Sequence, residues 1–129
     1  KKPRAPKVLL RKEDQHIPPV GTYFQSSTMP RYTLVIGNYN YSSWSLRAWL
    51  CLKASKEEFD LVCIELYTDG YKEKTLQFSP SGRVPVVIDK TLKQESQSIW
   101  DSLSILEHVR EQTNGAIDWP VETAARAHA

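Results

Sequence analysis

The 129-residue sequence has little of what marks a disulfide-stapled, membrane-spanning or metal-binding protein. Its two cysteines, Cys51 and Cys63, are too few for a disulfide framework, and their spacing fits neither a CxxC redox motif nor a zinc site. No apolar run approaches the roughly 20 residues that cross a bilayer, and the amino-terminal segment lacks the apolar core of a secretory signal. These absences favour a cytoplasmic protein without a bound metal or a membrane partner.

Most of the chain also lacks the basic stripe that nucleic-acid binding requires. Residues 1–28 contain six basic and two acidic residues, whereas residues 29–129 contain eleven basic and thirteen acidic residues. The first 30 residues carry five of the eight prolines and show no sustained periodicity. We therefore predict a basic, proline-containing disordered extension over residues 1–30, with Met29 as a candidate natural start, and no nucleic-acid partner.

Beyond the extension, short apolar strands alternate with helical patterns. Apolar residues at 46, 49, 50 and 54 follow Ser42 and Ser43, which predicts a helix with a serine cap between two strands. Strand, helix and strand in about 35 residues form a parallel βαβ unit. The predicted strands are 32–36, 59–64, 84–88 and a return strand near 95–99; a short helix covers 72–78, and a longer one runs from 102 to a stop at Asn114-Gly115. This order predicts an α/β domain of the thioredoxin-like βαβ-ββα type, with a mixed four-stranded sheet.

The segment Ser79-Pro80-Ser81-Gly82-Arg83-Val84-Pro85-Val86-Val87 joins a turn to a buried strand through a proline. Proline removes a ladder donor, so it belongs at a strand's first residue, at an edge or at a bulge. Val-Pro is also a place for a cis peptide, and the Val84 N–H and C=O would then face outward, where a bound peptide can pair with them. A plain turn into an edge strand is the alternative.

Two helix starts carry polar residues suited to ligands. The hydroxyl of Ser42 lies where the helix dipole and spare N–H groups can hold an anion such as a thiolate. At the last helix, Asp101 can pair with an ammonium group while Ser102 and the N–H groups accept a carboxylate, as an α-amino-acid head group requires. At both helix starts, ordinary helix capping without a ligand is the alternative explanation.

The other titratable and aromatic residues suggest no chemistry. The sequence shows no partner residues with which His16, His108 or His128 could form a metal site or a catalytic triad, and we expect these histidines to be solvated. Trp49 and Trp100 are expected to pack in the core.

Together, four motifs in this order resemble the N-terminal half of a soluble glutathione S-transferase of the serine type, similar to bacterial and zeta-class members. They are Asn40-Tyr41-Ser42-Ser43-Trp44-Ser45-Leu46-Arg47-Ala48-Trp49, Ser79-Pro80-Ser81-Gly82-Arg83-Val84-Pro85-Val86, Trp100-Asp101-Ser102-Leu103 and Trp119-Pro120 with the alanines after it. The resemblance implies a thioredoxin-like glutathione-binding domain at 31–115, and at 116–129 a linker and the truncated start of an all-helical C-terminal domain, which is otherwise absent.

The same resemblance implies the site residues. Ser42, or Ser43 beside it, would activate the thiol of glutathione, and Val84 and the cis proline Pro85 would hold its cysteinyl unit. The γ-glutamyl group would lie at Asp101 and Ser102, with Arg83 near the carboxylates. Many relatives have Glu-Ser where this chain has Asp101-Ser102.

The implied function is a glutathione transferase that conjugates the thiolate to a small electrophile and forms a homodimer at full length. A non-catalytic glutathione-binding or interaction module of the same fold is the alternative, since the second domain supplies most of the electrophile site. A maleylacetoacetate isomerase-like activity is a further alternative, weakened because Trp44 stands where zeta-class members usually have cysteine. Thiol-disulfide exchange is disfavoured because no cysteine begins a helix.

Overall fold

The computed structural model describes residues 29–40, 42–93 and 97–128, so nearly all of the predicted extension lies outside the described residues. The described elements are β1 (Tyr32–Ile36), α1 (Ser43–Ser55), β2 (Phe59–Cys63), α2 (Tyr71–Leu76), β3 (Val86–Asp89), β4 (Ser98–Ile99), α3 (Ser102–Gln112) and α4 (Thr123–Ala127).

The four strands form one mixed sheet in the order β2-β1-β3-β4. β1 pairs in parallel with β2, and Leu34 lies opposite Leu61. β3 runs antiparallel to both β1 and β4, with Val87 opposite Leu34 on one side and Ile99 on the other. A parallel pair joined by α1, followed by an antiparallel pair and a helix, confirms the predicted thioredoxin-like fold.

Strand boundaries differ from the prediction for physical reasons. β3 begins at Val86 rather than at residue 84, because Pro85 has no N–H to give to the ladder. β2 was expected to be buried, but its residues are all half-buried because it is an edge strand. β4 is only two residues long, and residues 95 and 96 of its predicted range lie outside the described residues.

The core lies on both faces of the sheet. Alternation along β1 sends Tyr32, Leu34 and Ile36 toward α1 and α3, where they meet Leu52 and Ile105. Val35 faces the other way and packs with Val86 and Ile64 in a smaller cluster that Tyr71 of α2 and Phe78 contact. Trp100 does not join either cluster and is 46% exposed, so its predicted core position is wrong.

Asp89, at the end of β3, is a fully buried carboxylate. The Arg31 guanidinium donates to it through Nε at 3.0 Å and Nη2 at 2.6 Å, and the Thr91 N–H and hydroxyl donate at 2.9 and 2.7 Å. His108 Nε2 of α3 lies 2.8 Å from Asp89 Oδ2, so the expectation that His108 is solvated and unpartnered is wrong. Burial alone raises the pKa of the Asp89 carboxyl, but the hydrogen bonds from Arg31, Thr91 and His108 outweigh it and hold that pKa well below its usual range.

The chain after α3 folds back on that helix. The Trp119 indole N–H donates to Glu107, and Arg110 Nε donates to Asp118 at 2.6 Å. Glu122 is the N-cap of α4, and its carboxylate accepts the N–H groups of two alanines; α4 has no buried residue. Within the described ranges no helix is long and apolar enough to cross a membrane.

The Asp89 cluster generates a stability prediction. Asp89→Asn removes the buried carboxylate that pairs with half-buried Arg31, and we expect the free energy of unfolding at neutral pH to fall by about 2 kcal/mol. Because the folded-state pKa of Asp89 lies below the unfolded value, its stabilisation is fully present above about pH 4 and is lost as the pH falls through the folded-state pKa. Urea unfolding across acidic pH should therefore show a shallower acid loss in the variant than in the wild type.

Asp60→Asn is the matched control. The Asp60 carboxylate pairs with Lys90 Nζ at 2.7 Å, but this pair is partly exposed. Exposed pairs contribute below about 1 kcal/mol, so this variant should lose less stability than Asp89→Asn. Equal losses in the two variants would contradict the central role of Asp89.

Candidate functional site

The sheet register brings the predicted ligand-binding segments to one edge of the molecule. β1 ends at Ile36. The residue before it, Val35, lies opposite Val86, the first residue of the antiparallel β3. Ile99 of β4 lies opposite Val87, so the chain leaves β4 at the same edge. The segments that begin at Gly37, Arg83 and Trp100 therefore share this edge, which we call the site edge.

Ser42 is the N-cap of α1. Its backbone is extended, and its Oγ accepts the Ser45 N–H at 3.2 Å and the Ser45 hydroxyl at 2.8 Å. Ser42 is half-buried, whereas Ser43, the first helical residue, is exposed. Ser42 therefore caps α1, and among the described residues its hydroxyl proton is donated to no acceptor.

Ser45 is the site-edge residue that sequence reasoning missed. Its side chain is almost fully buried, with 4% of the residue exposed. Its Oγ accepts a hydrogen bond from the Gly37 N–H at 3.0 Å, and its hydroxyl donates a hydrogen bond to Ser42 Oγ. A polar residue three positions after a capping serine is the signal that could have identified it.

The loop before β3 is held by its own serines. The Ser79 side chain is buried and its Oγ lies 2.8 Å from Ser81 Oγ, which in turn accepts the Arg83 N–H at 3.2 Å. Gly82 has a φ of +61°, in the left-handed region that favours glycine. These bonds place Arg83 on the surface, directly before the Val84–Pro85 segment.

The Val84–Pro85 peptide bond is cis. Pro85 is buried and Val84 is half-buried. The pairing of β1 with β3 stops at Val86, and over residues 29–40, 42–93 and 97–128 no hydrogen bond outside the ladder uses the Val84 backbone. These backbone groups therefore remain available for an external partner.

Asp101 is the N-cap of α3, and its Oδ1 accepts the N–H groups of Leu103 and Ser104 at 2.9 and 3.2 Å. Ser102 is the first helical residue and is half-buried. As with Ser42, capping uses only part of the side chain, since both bonds go to Oδ1. The second carboxylate oxygen, Oδ2, accepts no hydrogen bond from the part of the chain that the structure describes.

Neither cysteine has the character of a reactive thiol. Burial raises the pKa of Cys51 to about 11. Burial and the charge of Glu65 also raise the pKa of Cys63, whose Sγ donates to the Gly37 carbonyl at 3.7 Å. The described residues hold no group of three or more His, Cys, Asp or Glu side chains that could bind a metal ion.

An apolar groove of about 380 Å³ lies between α1 and α3. Its lining includes Leu50, Ala54, Leu106 and Trp119. None of the predicted site residues lines it, so the groove and the site edge are separate features.

The fold is similar to that of several solved glutathione transferases. A glutathione transferase homologue from Sulfitobacter, with bound glutathione, has a TM-score of 0.61 and 18% identity, over 77% of this chain and 45% of its own. A glutathione S-transferase from the Antarctic clam Laternula elliptica has a TM-score of 0.59 and 21% identity, over 75% of this chain and 42% of its own. Glutathione transferase Omega 2S from Trametes versicolor has a TM-score of 0.57 and 23% identity, over 78% of this chain and 44% of its own. The chain spans less than half the length of each of these proteins.

A comparison with curated protein sequences found no match. A family model described as "Glutathione S-transferase, N-terminal domain" matches residues 41–112, which is more than half of the chain and runs from the start of α1 to the end of α3. The chain therefore belongs to the family of glutathione S-transferase N-terminal domains.

Proposed function

We propose that this chain binds glutathione at the site edge and that Ser42 stabilises the glutathione thiolate. The observation that carries the proposal is the hydrogen bonding of Ser42. Its Oγ accepts both the N–H and the hydroxyl of Ser45, so its own proton is left to donate outward. A hydroxyl donor at the positive end of a 13-residue helix suits a thiolate better than a neutral group.

The chemistry follows from that donor. A free thiol has a pKa near 8.5, and a hydrogen bond to its charged form lowers that value. On binding, the thiol proton leaves to solvent, and the sulfur is held by the Ser42 O–H and the unpaired N–H groups of the first helical turn. The sulfur lone pair then forms a bond to the electrophilic atom of the second substrate, and the displaced electrons leave with that atom's leaving group or remain in the adduct.

The rest of glutathione would extend along the site edge. The Val84 N–H and C=O would pair with the cysteinyl backbone in the manner of an added strand, with Pro85 beneath. The γ-glutamyl ammonium would pair with the free Oδ2 of Asp101, and its carboxylate would meet Ser102 and the start of α3. Exposed Arg83 is placed to approach a carboxylate of the ligand.

A non-catalytic glutathione-binding module is the second candidate. Ser43 is exposed and Trp44 is 56% exposed, so no layer of the described residues encloses the space beside Ser42 where an electrophile would react. We propose that residues 116–129, which contain the exposed α4, begin the helical domain that would supply such a layer. Glutathione binding without conjugation would favour the module.

The first functional prediction separates Ser42 from Ser43. Ser42→Ala removes a hydrogen bond to a charged sulfur, so the pKa of the thiol of bound glutathione should rise by about one unit. Glutathione affinity should change little, because the cysteinyl and γ-glutamyl contacts remain. Ultraviolet absorbance of the thiolate against pH measures the pKa, and titration calorimetry measures the affinity.

Ser43→Ala is the matched control, because Ser43 is adjacent and exposed. It should leave the thiol pKa at the wild-type value. A shift confined to Ser43→Ala would transfer the role to Ser43, and a wild-type chain that binds no glutathione would overturn the proposed function.

A second prediction separates the capping and binding roles of Asp101. Asp101→Asn keeps a capping oxygen but loses the charge, so glutathione affinity should fall about tenfold while the unfolding free energy stays within a few tenths of a kcal/mol. Asp101→Ala should lose affinity and, in addition, about 1 kcal/mol of stability. Calorimetry and urea unfolding measure the two effects.

Glu122→Gln provides the control for the loss of a capping charge. Glu122 caps α4 through two N–H groups, at 2.9 and 2.7 Å, and is fully exposed. This variant should bind glutathione like the wild type. If Asp101→Asn also binds like the wild type, Asp101 is a cap alone.

A further inference from the structure

A buried chain of hydrogen bonds runs from the end of β1 to the start of α1. The Gly37 N–H donates to Ser45 Oγ at 3.0 Å, and the Ser45 hydroxyl donates to Ser42 Oγ at 2.8 Å. Both Gly37 and Ser45 are buried. The Ser45 side chain thus connects a strand-end amide to the hydroxyl that the proposed function places on the thiol.

The hydrogen bonds of this chain run in one direction, from Gly37 through Ser45 to Ser42. A backbone N–H can only donate, so Ser45 Oγ accepts there and has one proton left to give. That proton goes to Ser42 Oγ, which also accepts the Ser45 N–H. With both of its acceptor positions used, the Ser42 hydroxyl turns its proton away from the helix.

We propose that Ser45 is a positioning residue for thiol activation, and this inference rests on the proposed function of Ser42. It acts in two ways through Ser42. It keeps the Ser42 proton directed outward, and the hydrogen bond it donates polarises the Ser42 O–H into a stronger donor, because hydrogen bonds in a chain strengthen one another.

A purely structural role makes a different prediction. If Ser45 served only to satisfy the buried Gly37 N–H, its removal would lower stability without changing the bound thiol. Acting through Ser42, it changes the thiol pKa, and it does so only while the Ser42 hydroxyl is present. Stability alone cannot distinguish the two roles, but a pH titration in two backgrounds can.

The experiment measures the pKa of bound glutathione by thiolate absorbance in Ser45→Ala, Ser42→Ala and the double variant. In Ser45→Ala the pKa should rise, so that the thiolate fraction below the wild-type pKa falls on the order of threefold, with glutathione affinity nearly unchanged. In the Ser42→Ala background the same substitution should add no further shift, because residues that act through one another are not additive.

Ser45→Cys guards against loss of folding in Ser45→Ala. Cysteine keeps a similar volume but is a weak donor. In Ser45→Cys the pKa of the bound glutathione thiol should therefore lie between its values in the wild type and in Ser42→Ala. Ser55→Ala is the matched control, since Ser55 is also buried in α1 but donates to the Leu52 carbonyl at the far end of the helix. It should leave the thiol pKa unchanged.

The outcomes separate this inference from the proposed function. A wild-type pKa in the folded Ser45 variants, or an equal shift with and without the Ser42 hydroxyl, would overturn the role of Ser45 while leaving Ser42 as the activator. Absence of glutathione binding by the wild-type chain would overturn both. A shift in Ser45→Ala that disappears in the Ser42→Ala background supports the inference.

Discussion

A carboxylate with no exposed surface lies where β3 ends, opposite Tyr32 of β1, and α3 reaches it through His108. Burying an unpaired charge would cost several kcal/mol, so Asp89 tolerates this place only because Arg31, Thr91 and His108 all contact it. These contacts join the start of β1, the end of β3 and the middle of α3. The His108 contact ties α3, whose N-cap is Asp101, to the end of β3.

The Asp89 cluster and the site edge lie at opposite ends of the same strand pair. Tyr32 opposite Asp89 marks one end, and Val35 opposite Val86 marks the other. The first end is closed by a dense ionic cluster, whereas the second is held by helix caps and a serine-rich loop. Such a division leaves the donors and acceptors at the site edge partly unused, since a cap occupies only some of the capacity of its side chain. Capping and ligand binding, which are alternatives when only the sequence is read, are therefore compatible at both Ser42 and Asp101.

Local patterns predicted the elements well because they depend on neighbours in the chain. The 3.6-residue repeat after Ser42 and the proline at 85 were enough to locate α1 and the approach to β3. The half-burial of β2 was missed because strand order, which makes β2 an edge strand, is not visible in its own residues. The pairing of His108 with Asp89 was missed for a similar reason, since it joins a helix to a strand across 19 positions. Ser45 was missed because its position three residues after a capping serine indicates only a cap until the contact with Gly37, directly after β1, is known.

Gly37 links the sheet to the proposed chemistry. Its N–H donates to Ser45, and its carbonyl accepts the Cys63 thiol of β2. Its φ is not positive, so glycine is required here for space rather than for conformation. A Cβ at this position would lie 2.4 Å from Leu66 Cδ1 and 2.8 Å from Leu66 Cγ. A larger residue here would therefore require the Leu66 side chain to move, beside the amide that heads the serine chain. The Gly37 amide, which donates to Ser45, thus lies in a tightly packed place between the Leu66 and Val84 side chains, and this packing holds the first member of the chain that leads to the proposed thiolate donor.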